Sequence, residues 1–285
     1  MGLLNSQIQI YSDNATLIRT LTGQAGTISF MTYLPSGSLV SASSDGSIFI
    51  WNLNSGTHTG SLVGHTSGVR SLDVVDANTL ASVSNDGYAI VWNLSSLQAK
   101  FKILVGVFAI NCCKYLQNGL LATGDQFNHV YLFNLSNNGS LVSLFSGHGT
   151  VVLGMDLIKK DSILASSDFN QAILLWSLPS GSPITKTMQY RHTGSIVFLK
   201  RLSDSSLASG STDSQVHVWD FSTGNVLILA NHTSTVNSLE LLTNGLLLSG
   251  SSDGTVKVWN TTNGYLVKTL SIGASVLSLK YLAYS

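Results

Sequence analysis

Serine, histidine and aspartate occur together three times along the chain, at nearly the same spacing each time. The sets are His65, Ser82 and Asp86; His192, Ser209 and Asp213; and His232, Ser249 and Asp253. These are the residue types of a nucleophilic triad, in which an imidazole takes the proton of a serine hydroxyl and a carboxylate orients the imidazole. Three equivalent copies argue against that chemistry, because a triad works in one open site with an oxyanion hole. We therefore predict no catalytic residues and a protein that is not an enzyme.

The regular spacing comes from a repeat of the segments that carry these residues. The clearest copy is LLLSGSSDGTVKVWN, residues 246–260. An aromatic residue near the end of each copy recurs every 40 to 43 residues, at Tyr11, Trp51, Trp92, Phe133, Trp176, Trp219 and Trp259. A nearly constant period of this length indicates a repeat architecture.

Each period contains four short segments of apolar or β-forming residues, separated by turn residues. In the last full period the segments are residues 236–242, 246–249, 255–259 and 265–270, and every break between them contains glycine beside Asn or Asp. All three prolines, Pro35, Pro179 and Pro183, also lie in breaks, where no strand needs their missing N–H. Four short antiparallel strands per period predict one blade of a β-propeller.

The two ends of the chain complement each other. Residues 8–21 match the third and fourth strands of a period, residues 3–5 are an abbreviated second strand, and residues 275–282 match a first strand. A solenoid with open ends is the competing geometry, but pairing of the terminal strands would remove exposed sheet edges. We predict one all-β domain over residues 1–285: a seven-bladed propeller of four-stranded antiparallel blades. Its closing blade is shared by about residues 1–22 and 271–285, so that the C-terminal strand pairs with the N-terminal strands.

Together with the recurrent tryptophan, these residues resemble the WD-repeat (WD40) β-propeller family over essentially the whole chain. In that family a His before the first strand, a Ser or Thr on the second, an Asp in the next turn and the Trp of the third strand form a hydrogen-bonded chain. The resemblance implies three complete structural tetrads: His65, Ser82, Asp86 and Trp92; His192, Ser209, Asp213 and Trp219; and His232, Ser249, Asp253 and Trp259.

Other blades depart from the family pattern, counting the blade that contains Trp51 as blade one. Blade one has Gln24 in place of the histidine, and blade four has Asn170 in place of the aspartate. Blade three has Phe127 for the aspartate and Phe133 for the tryptophan, and blade seven has Tyr11 and no histidine. We expect these blades to be held less rigidly, since each missing buried hydrogen bond is worth about 1 kcal/mol.

The resemblance also implies where a partner docks, because the loops before the first strands and the turns between second and third strands share one rim of the propeller. Aromatic and apolar residues gather on this rim over blades three and four, with arginines at the edge, as in the energetic centre of many interfaces. The predicted partner-binding residues are Arg70, Phe108, Phe127, Leu153, Phe169 and Arg191. Alternatively, Phe127 and Phe169 turn inward and fill space left by the missing tetrad residues. The exposure of the two rings distinguishes these interpretations.

Composition limits the other classes of partner. The net charge is zero, only 10% of residues are charged and the 14 basic residues are scattered, so no nucleic-acid partner is expected. The longest apolar run, residues 103–110, is far shorter than a bilayer requires, so no membrane partner is expected. No secretory signal is visible at the N-terminus, and a cytoplasmic location is expected.

The remaining metal-binding residue types give no pattern of ligands. Cys112 and Cys113 are sequence neighbours without a chelating spacing and are expected in the core. His58, His129 and His217 are isolated in the sequence and are expected as strand or surface residues. We predict no metal site and no cofactor.

These observations favour a non-catalytic, monomeric scaffold that binds a protein or peptide on the rim around its central channel. One alternative is a structural propeller within a larger multidomain protein. A different class, a propeller enzyme or a sugar- or metal-binding protein, would need carboxylates and histidines that converge on the rim of the channel.

Overall fold

Seven four-stranded sheets follow one another around a ring. The structure is a computed structural model that describes residues 1–12, 15–116, 118–159, 162–184 and 191–281. Every strand pairing in these sheets is antiparallel, so the predicted all-β seven-bladed propeller is confirmed. One 3-10 turn, Leu135–Asn137, is the only helical element in the described part of the chain.

The strands are short and follow the predicted order. The chain begins with β1 (Gly2–Leu3), β2 (Ile8–Tyr11) and β3 (Leu17–Leu21) of blade seven. Blade one contains β4 (Ile28–Tyr33), β5 (Leu39–Ser43), β6 (Ile48–Asn52) and β7 (Thr57–Leu62). Blade two contains β8 (Val69–Asp76), β9 (Thr79–Ser84), β10 (Tyr88–Asn93) and β11 (Gln98–Leu104). Blade three contains β12 (Ile110–Tyr115), β13 (Leu120–Asp125), β14 (His129–Asn134) and β15 (Ser140–Ser146).

The remaining blades repeat the same arrangement. Blade four contains β16 (Val152–Lys159), β17 (Ile163–Asp168), β18 (Ile173–Ser177) and β19 (Ser182–Ile184). Blade five contains β20 (Ile196–Arg201), β21 (Ser206–Ser211), β22 (Gln215–Asp220) and β23 (Val226–Ala230). Blade six contains β24 (Val236–Leu241), β25 (Leu246–Ser251), β26 (Thr255–Asn260) and β27 (Leu266–Ser271), and β28 (Val276–Ser278) returns to blade seven.

The hydrophobic core lies between consecutive blades. All six residues of β9 are buried, because a second strand is covered by a blade on each face, whereas most of the outer strand β11 is exposed. Between blades one and two, for example, Val40 packs in one cluster with Leu72 and Trp92. Strands covered on both faces carry apolar or small residues at nearly every position, which explains the uninterrupted apolar segments of the sequence.

Glycines on second strands allow neighbouring blades to approach closely. A Cβ atom built at Gly124 would lie 2.6 Å from Cγ1 of Val152 in the next blade. A Cβ atom at Gly250 would lie 2.6 Å from Cγ1 of Val276. No side chain fits at these two positions without moving the next blade.

The ring is closed by pairing of the two ends of the chain, as predicted. Gly2 pairs with Ser278 and Leu3 with Val276 in an antiparallel ladder between β1 and β28. The second strand of this blade is Gly2–Leu3 and not residues 3–5, because the Leu3 carbonyl already accepts the Ser6 N–H in a tight turn. The predicted first strand, residues 275–282, is shorter in the structure, and residue 282 lies outside the described residues.

The first strand of each blade lines a central channel, which contains a cavity of about 420 Å³. The rings of Phe30 in blade one and Phe198 in blade five approach each other across the channel, with centroids 6.4 Å apart. The corresponding positions of the other blades hold the smaller residues Ser71, Cys112, Gly154, Ser238 and Ser278. Two aromatic rings therefore narrow the channel at this level.

Candidate functional site

The predicted tetrad residues form hydrogen-bonded chains inside their blades. In blade two, Ser82 Oγ lies 2.8 Å from Trp92 Nε1 and 2.7 Å from His65 Nε2, and His65 Nδ1 lies 2.8 Å from Asp86 Oδ2. The corresponding distances in blades five and six are all 2.7 or 2.8 Å. The hydrogen-bonded chain of blade five consists of Trp219, Ser209, His192 and Asp213, and that of blade six consists of Trp259, Ser249, His232 and Asp253. Each chain joins the loop before the blade to its second and third strands.

The chemistry of the partners determines the direction of every hydrogen bond. An indole N–H can only donate, so Ser82 Oγ accepts from Trp92 and gives its own proton to His65 Nε2. The other ring nitrogen, Nδ1, then carries the imidazole proton and donates it to Asp86. Ser82 is fully buried and the His65 side chain has no exposed surface. This arrangement connects strands and does not present the hydroxyl to a substrate.

The carboxylates at the ends of these chains are stabilised in their ionised form. Burial acts to raise the pKa of Asp213, but hydrogen bonds from His192 and from the backbone of Gln215 and Thr193 outweigh it and lower the pKa to about 2. Burial likewise acts to raise the pKa of Asp253, but hydrogen bonds from the Thr255 side chain, His232 and the Thr233 backbone outweigh it and lower the pKa to about 2. Burial also lowers the pKa of His65 and of His232. Neutral imidazoles beside ionised carboxylates agree with the proton positions derived above.

Blade four contains a complete chain, so the interpretation that Asn170 leaves it without a carboxylate is wrong. Asp168 accepts the Nδ1 proton of His148 at 2.9 Å, while Ser166 Oγ contacts His148 Nε2 at 2.6 Å and Trp176 Nε1 at 2.7 Å. Asp168 lies on the strand, only two residues after the serine, whereas the aspartates of blades two, five and six lie four residues after it in the turn. The carboxylate reaches the same histidine from a different backbone position.

Blade one is also held by a closed set of hydrogen bonds, so the expectation that Gln24 leaves this blade with missing buried hydrogen bonds is wrong. The Gln24 amide oxygen accepts the hydroxyl proton of Ser41, and Ser41 Oγ accepts the Trp51 indole N–H at 2.7 Å. The Gln24 amide nitrogen lies 3.0 Å from Ser47 Oγ. An amide thus replaces the imidazole, and Asp45 instead accepts two backbone N–H groups of the incoming loop.

Blade three departs most from the tetrad pattern. The Phe133 side chain, unlike an indole, has no N–H to donate. The buried Thr123 hydroxyl oxygen has no hydrogen-bond partner among the described residues. Asp125, in the strand position that Asp168 takes in blade four, accepts the backbone N–H groups of Phe127 and His129 at 2.8 and 2.9 Å. The hydrogen bonds of this blade therefore stabilise the turn that carries Phe127.

Three phenylalanines are exposed on the rim over blades three and four. Phe108, Phe127 and Phe169 have 47%, 48% and 56% of their surface exposed, so the interpretation that Phe127 and Phe169 turn inward is wrong. The Phe108 and Phe127 rings meet edge to face with centroids 4.2 Å apart. The Phe169 carbonyl accepts the Ser195 hydroxyl of blade five at 2.9 Å, which ties its turn to the neighbouring blade. We call these three residues the phenylalanine rim.

The other predicted partner-binding residues occupy two further places. Arg70 and Leu153 lie on first strands and line the channel cavity, whereas the three phenylalanines are not among its lining residues. Arg191 is exposed in the loop that enters blade five, and the neighbouring Tyr190 lies outside the described residues. The six residues therefore do not form one continuous cluster, because first-strand side chains reach the channel while turn residues remain on top of the blades.

A ring of alternating charges, which was not predicted from the sequence, lies deeper in the channel. One position of the first strand holds, from blade two to blade seven, Asp73, Lys114, Asp156, Lys200, Glu240 and Lys280, and blade one has Thr32 there. Lys114 Nζ lies 3.7 Å from Asp73 and 3.2 Å from Asp156, while Glu240 contacts Lys200 at 2.7 Å and Lys280 at 2.8 Å. We call these six residues the charge ring. Their spacing of 40 to 44 residues is the signal that could have revealed it.

The charge ring is electrostatically balanced. The charges of Asp156 and Asp73 raise the pKa of Lys114. Burial acts to raise the pKa of Asp156, but the charge of Lys114 and the backbone N–H of Arg201 outweigh it and lower the pKa. Charges of alternating sign cannot occupy all seven positions of a ring, because an odd number would place two like charges side by side. The seventh position is held by the neutral Thr32, between Lys280 and Asp73.

The three histidines outside the tetrads all lie on strands, as expected. His58 lies on β7, His129 on β14 and His217 on β22. His217 is 1% exposed, and its ring stacks on the tetrad residue His192. The expectation that His217 is isolated is therefore wrong.

Seven four-stranded blades, several of which contain the same buried chain of hydrogen bonds, define a β-propeller built from sequence repeats. The profile of the family described as "WD domain, G-beta repeat" matches residues 15–52, 56–93, 184–220 and 224–260, which is more than half of the chain. The chain belongs to this family, the WD40 repeats. The matched ranges do not include residues 94–183, which contain all of blade three and most of blade four.

Individual relatives are more distant. The chain is 25% identical over 230 residues to autophagy-related protein 16 of Arabidopsis thaliana, which is 76% of this chain and 43% of that protein. It is 30% identical over 81 residues to echinoderm microtubule-associated protein-like 4 of Xenopus laevis, which is 27% of this chain and 9% of that protein. The chain therefore spans less than half the length of these curated relatives.

A solved structure has the same fold. The crystal structure of the computationally designed Ika8 protein superimposes with a TM-score of 0.78, at 22% identity, over 99% of this chain and 86% of that one. In the part of the chain that the structure describes, no helix is long and apolar enough to cross a membrane.

Proposed function

We propose that this propeller is a non-catalytic platform that binds a protein or peptide partner through the rim over blades three and four. The observation that carries the proposal is the exposure of the phenylalanine rim, Phe108, Phe127 and Phe169. Membership of the WD40 family supports the general role of protein binding, since propellers of this family act as platforms for protein partners. The proposed contact residues are Arg70, Phe108, Phe127, Leu153, Phe169 and Arg191.

The phenylalanine rim is suited to binding because it exposes apolar surface to solvent on an ordered backbone. Covering apolar surface contributes roughly 25 cal/mol per Å², and about half of each ring is still exposed. The backbone around the rings is hydrogen-bonded, through Phe127 N–H to Asp125 and through the Phe169 carbonyl to Ser195. A partner would therefore meet turns that need little ordering on binding, which favours affinity.

Charge near the rim restricts the chemistry of the partner. Arg70 and Arg191 are both exposed, whereas the tetrad aspartates of blades two, four, five and six are engaged by histidines. Arginine and aromatic residues are both enriched at interface centres. We propose an apolar segment with a flanking acidic residue as the partner, with the apolar part on the rings and the acidic group toward an arginine.

The alternative is a propeller whose role is structural within a larger protein. It is favoured by the lengths of the relatives, of which this chain covers 43% and 9%. A propeller enzyme or sugar-binding protein is a third class, which would need a converging set of polar groups on the rim. We place the protein in the cytoplasm as part of this proposal, where its two free cysteines would remain reduced.

The proposal is tested by removing the rings and measuring recovery of partners. Protein with Phe127→Ala and Phe169→Ala is used as bait beside the wild type, and bound proteins are quantified by mass spectrometry. The matched control carries Leu141→Ala and Leu144→Ala, which remove exposed side chains from the outer strand of the same region. We expect a set of proteins that the rim variant loses by at least about tenfold and that the control retains.

Recovery of the same proteins by the wild type and the rim variant would show that the rim is not the binding site. Loss in both variants would also contradict it, since the outer strand would then contribute equally. Circular dichroism and thermal melting of each variant establish that its propeller is intact.

A further inference from the structure

The two histidines of blade five form a buried stacked pair. His217 lies two residues before Trp219 on β22, and its ring lies 3.6 Å from the His192 ring, centroid to centroid, at 16° between the planes. His217 is 1% exposed and His192 is 2% exposed. Asp213 approaches His192 from the turn, with Oδ2 2.8 Å from Nδ1. Two imidazoles and a carboxylate thus converge inside one blade.

One nitrogen of this pair is a buried acceptor without a donor. His217 Nε2 lies 2.9 Å from the amide oxygen of Gln215, which can only accept, so Nε2 carries the ring proton. The other nitrogen, Nδ1, therefore presents a lone pair. It is buried, and it has no hydrogen-bond partner among the residues that the structure describes.

Packing does not require an imidazole at this position. The corresponding third-strand residues of blades one to four and of blade six are Phe49, Ile90, Tyr131, Leu174 and Lys257. In four of these five blades an apolar or aromatic side chain therefore fills the same space. Leaving a buried polar atom unsatisfied lowers stability, and a bound cation would offset this cost.

We propose that His192, Asp213 and His217 bind a Zn²⁺ ion in blade five. One ligand atom of each residue lies within 4.8 Å of the other two. Two imidazole nitrogens and one carboxylate oxygen are a ligand set that Zn²⁺ accepts, with a fourth position for water or the Gln215 amide oxygen. Asp213 is held in place by backbone N–H groups of Thr193 and Gln215, which leaves its orientation independent of His192.

Binding requires a small rearrangement of His217 and a shift of the His192 ring proton. Ligand atoms on tetrahedral zinc are about 3.3 Å apart, and the metal lies in the plane of each imidazole, so His217 must tilt out of the stack. At His192 the ring proton moves from Nδ1, which binds the ion, to Nε2, where Ser209 Oγ accepts it. His217 Nδ1 is already unprotonated and releases none. The two neutral imidazoles therefore bind the ion without net release of a proton.

The test is calorimetric titration of untagged protein with Zn²⁺ alone, in two buffers of different ionisation enthalpy. We expect one ion per chain, the same binding enthalpy in both buffers because no net proton is released, and a rise in the melting temperature. His217→Phe and His217→Leu, which copy the residues of blades one and four, should weaken binding by at least about tenfold. His58→Ala, which removes an exposed histidine of β7, should leave the binding unchanged.

Absence of saturable binding to the wild type overturns the proposal, as does equal binding by the His217 variants. If neither His217 variant folds, the visible absorption of the wild type with Co²⁺ decides. Intense bands of a tetrahedral centre support the site, and the weak spectrum of octahedral aqueous Co²⁺ overturns it.

Discussion

At the scale of single residues, a buried carboxylate can reach the same histidine from two backbone positions. Asp86 reaches His65 from the turn, and Asp168 reaches His148 from the end of the strand. Asp168 is 1% exposed and also accepts the Ala172 N–H at 2.9 Å. The hydrogen-bonded chain of blade four thus depends on Asp168 and leaves the exposed Asn170 outside it.

Asp168→Asn should destabilise the protein, whereas Asn170→Ala should not. The amide nitrogen or oxygen of the new side chain cannot satisfy both the His148 N–H and the Ala172 N–H, which leaves a buried donor unpaired. We expect a loss of about 1–3 kcal/mol for Asp168→Asn and less than about 0.5 kcal/mol for Asn170→Ala, measured by urea unfolding. Equal losses in the two variants would contradict the assignment of the carboxylate to Asp168.

At the scale of elements, the first strands are matched to each other by charge as well as by shape. Asp73 and Asp156 accept the backbone N–H groups of Tyr115 and Arg201 in the neighbouring blade, and Lys114 lies between the two carboxylates. Asp73 therefore makes its ion pair and its backbone hydrogen bond with the same first strand, that of blade three. Asp156 pairs with Lys114 of blade three and accepts the N–H of Arg201 in blade five. The charge ring links the blades around the channel.

Lys114→Met should destabilise the first strands because it removes the cation that lies between the carboxylates of Asp73 and Asp156. The Lys114 and Asp156 side chains are 29% and 13% exposed, so solvent screens part of the effect. We expect a loss of about 1–3 kcal/mol in urea unfolding at low salt, where like charges interact most.

Lys102→Met is the matched control for this change. Lys102 is exposed on the outer strand β11 and donates a hydrogen bond to the Gly64 carbonyl, so the loss of stability should be within about 0.5 kcal/mol. A Lys114 variant as stable as the Lys102 variant would show that the charge ring contributes no stability.

At the scale of the whole molecule, the ring is completed by residues from opposite ends of the chain. Leu3 and Val276 have no exposed surface, and they pack with Val256 and Leu279 across the junction between blades six and seven. This junction joins residues more than 270 positions apart, and β1 and β28 are only two and three residues long. Closure therefore rests on few backbone hydrogen bonds and on the burial of these side chains.

Val276→Ala should loosen this junction before the rest of the propeller. Removing two buried methyl groups is expected to cost about 2 kcal/mol, and hydrogen exchange should accelerate in β1 and β28 while β10 stays protected. Val267→Ala, on the exposed outer strand β27, is the control and should leave exchange unchanged. Uniform acceleration in all blades would mean that the junction opens only with the whole molecule.

Much of the fold is readable in the sequence because its signals are local. Turn residues such as Asn244–Gly245 and Asp253–Gly254 mark the strand ends, and the period of the aromatic residues determines the number of blades. The rim position of Phe127 and Phe169 follows from the same turns. The sequence does not determine whether their rings point outward, because this depends on contacts with the neighbouring strands and blades.

By itself, the sequence determined the all-β class, seven four-stranded blades and the pairing of the two ends. The tertiary structure decided that Asp168 completes blade four, that six charges alternate around the channel and that His217 stacks on His192. These features join residues on different strands or in different blades. Their contacts depend on strand register and on the spacing of the blades, and no short stretch of sequence encodes either one.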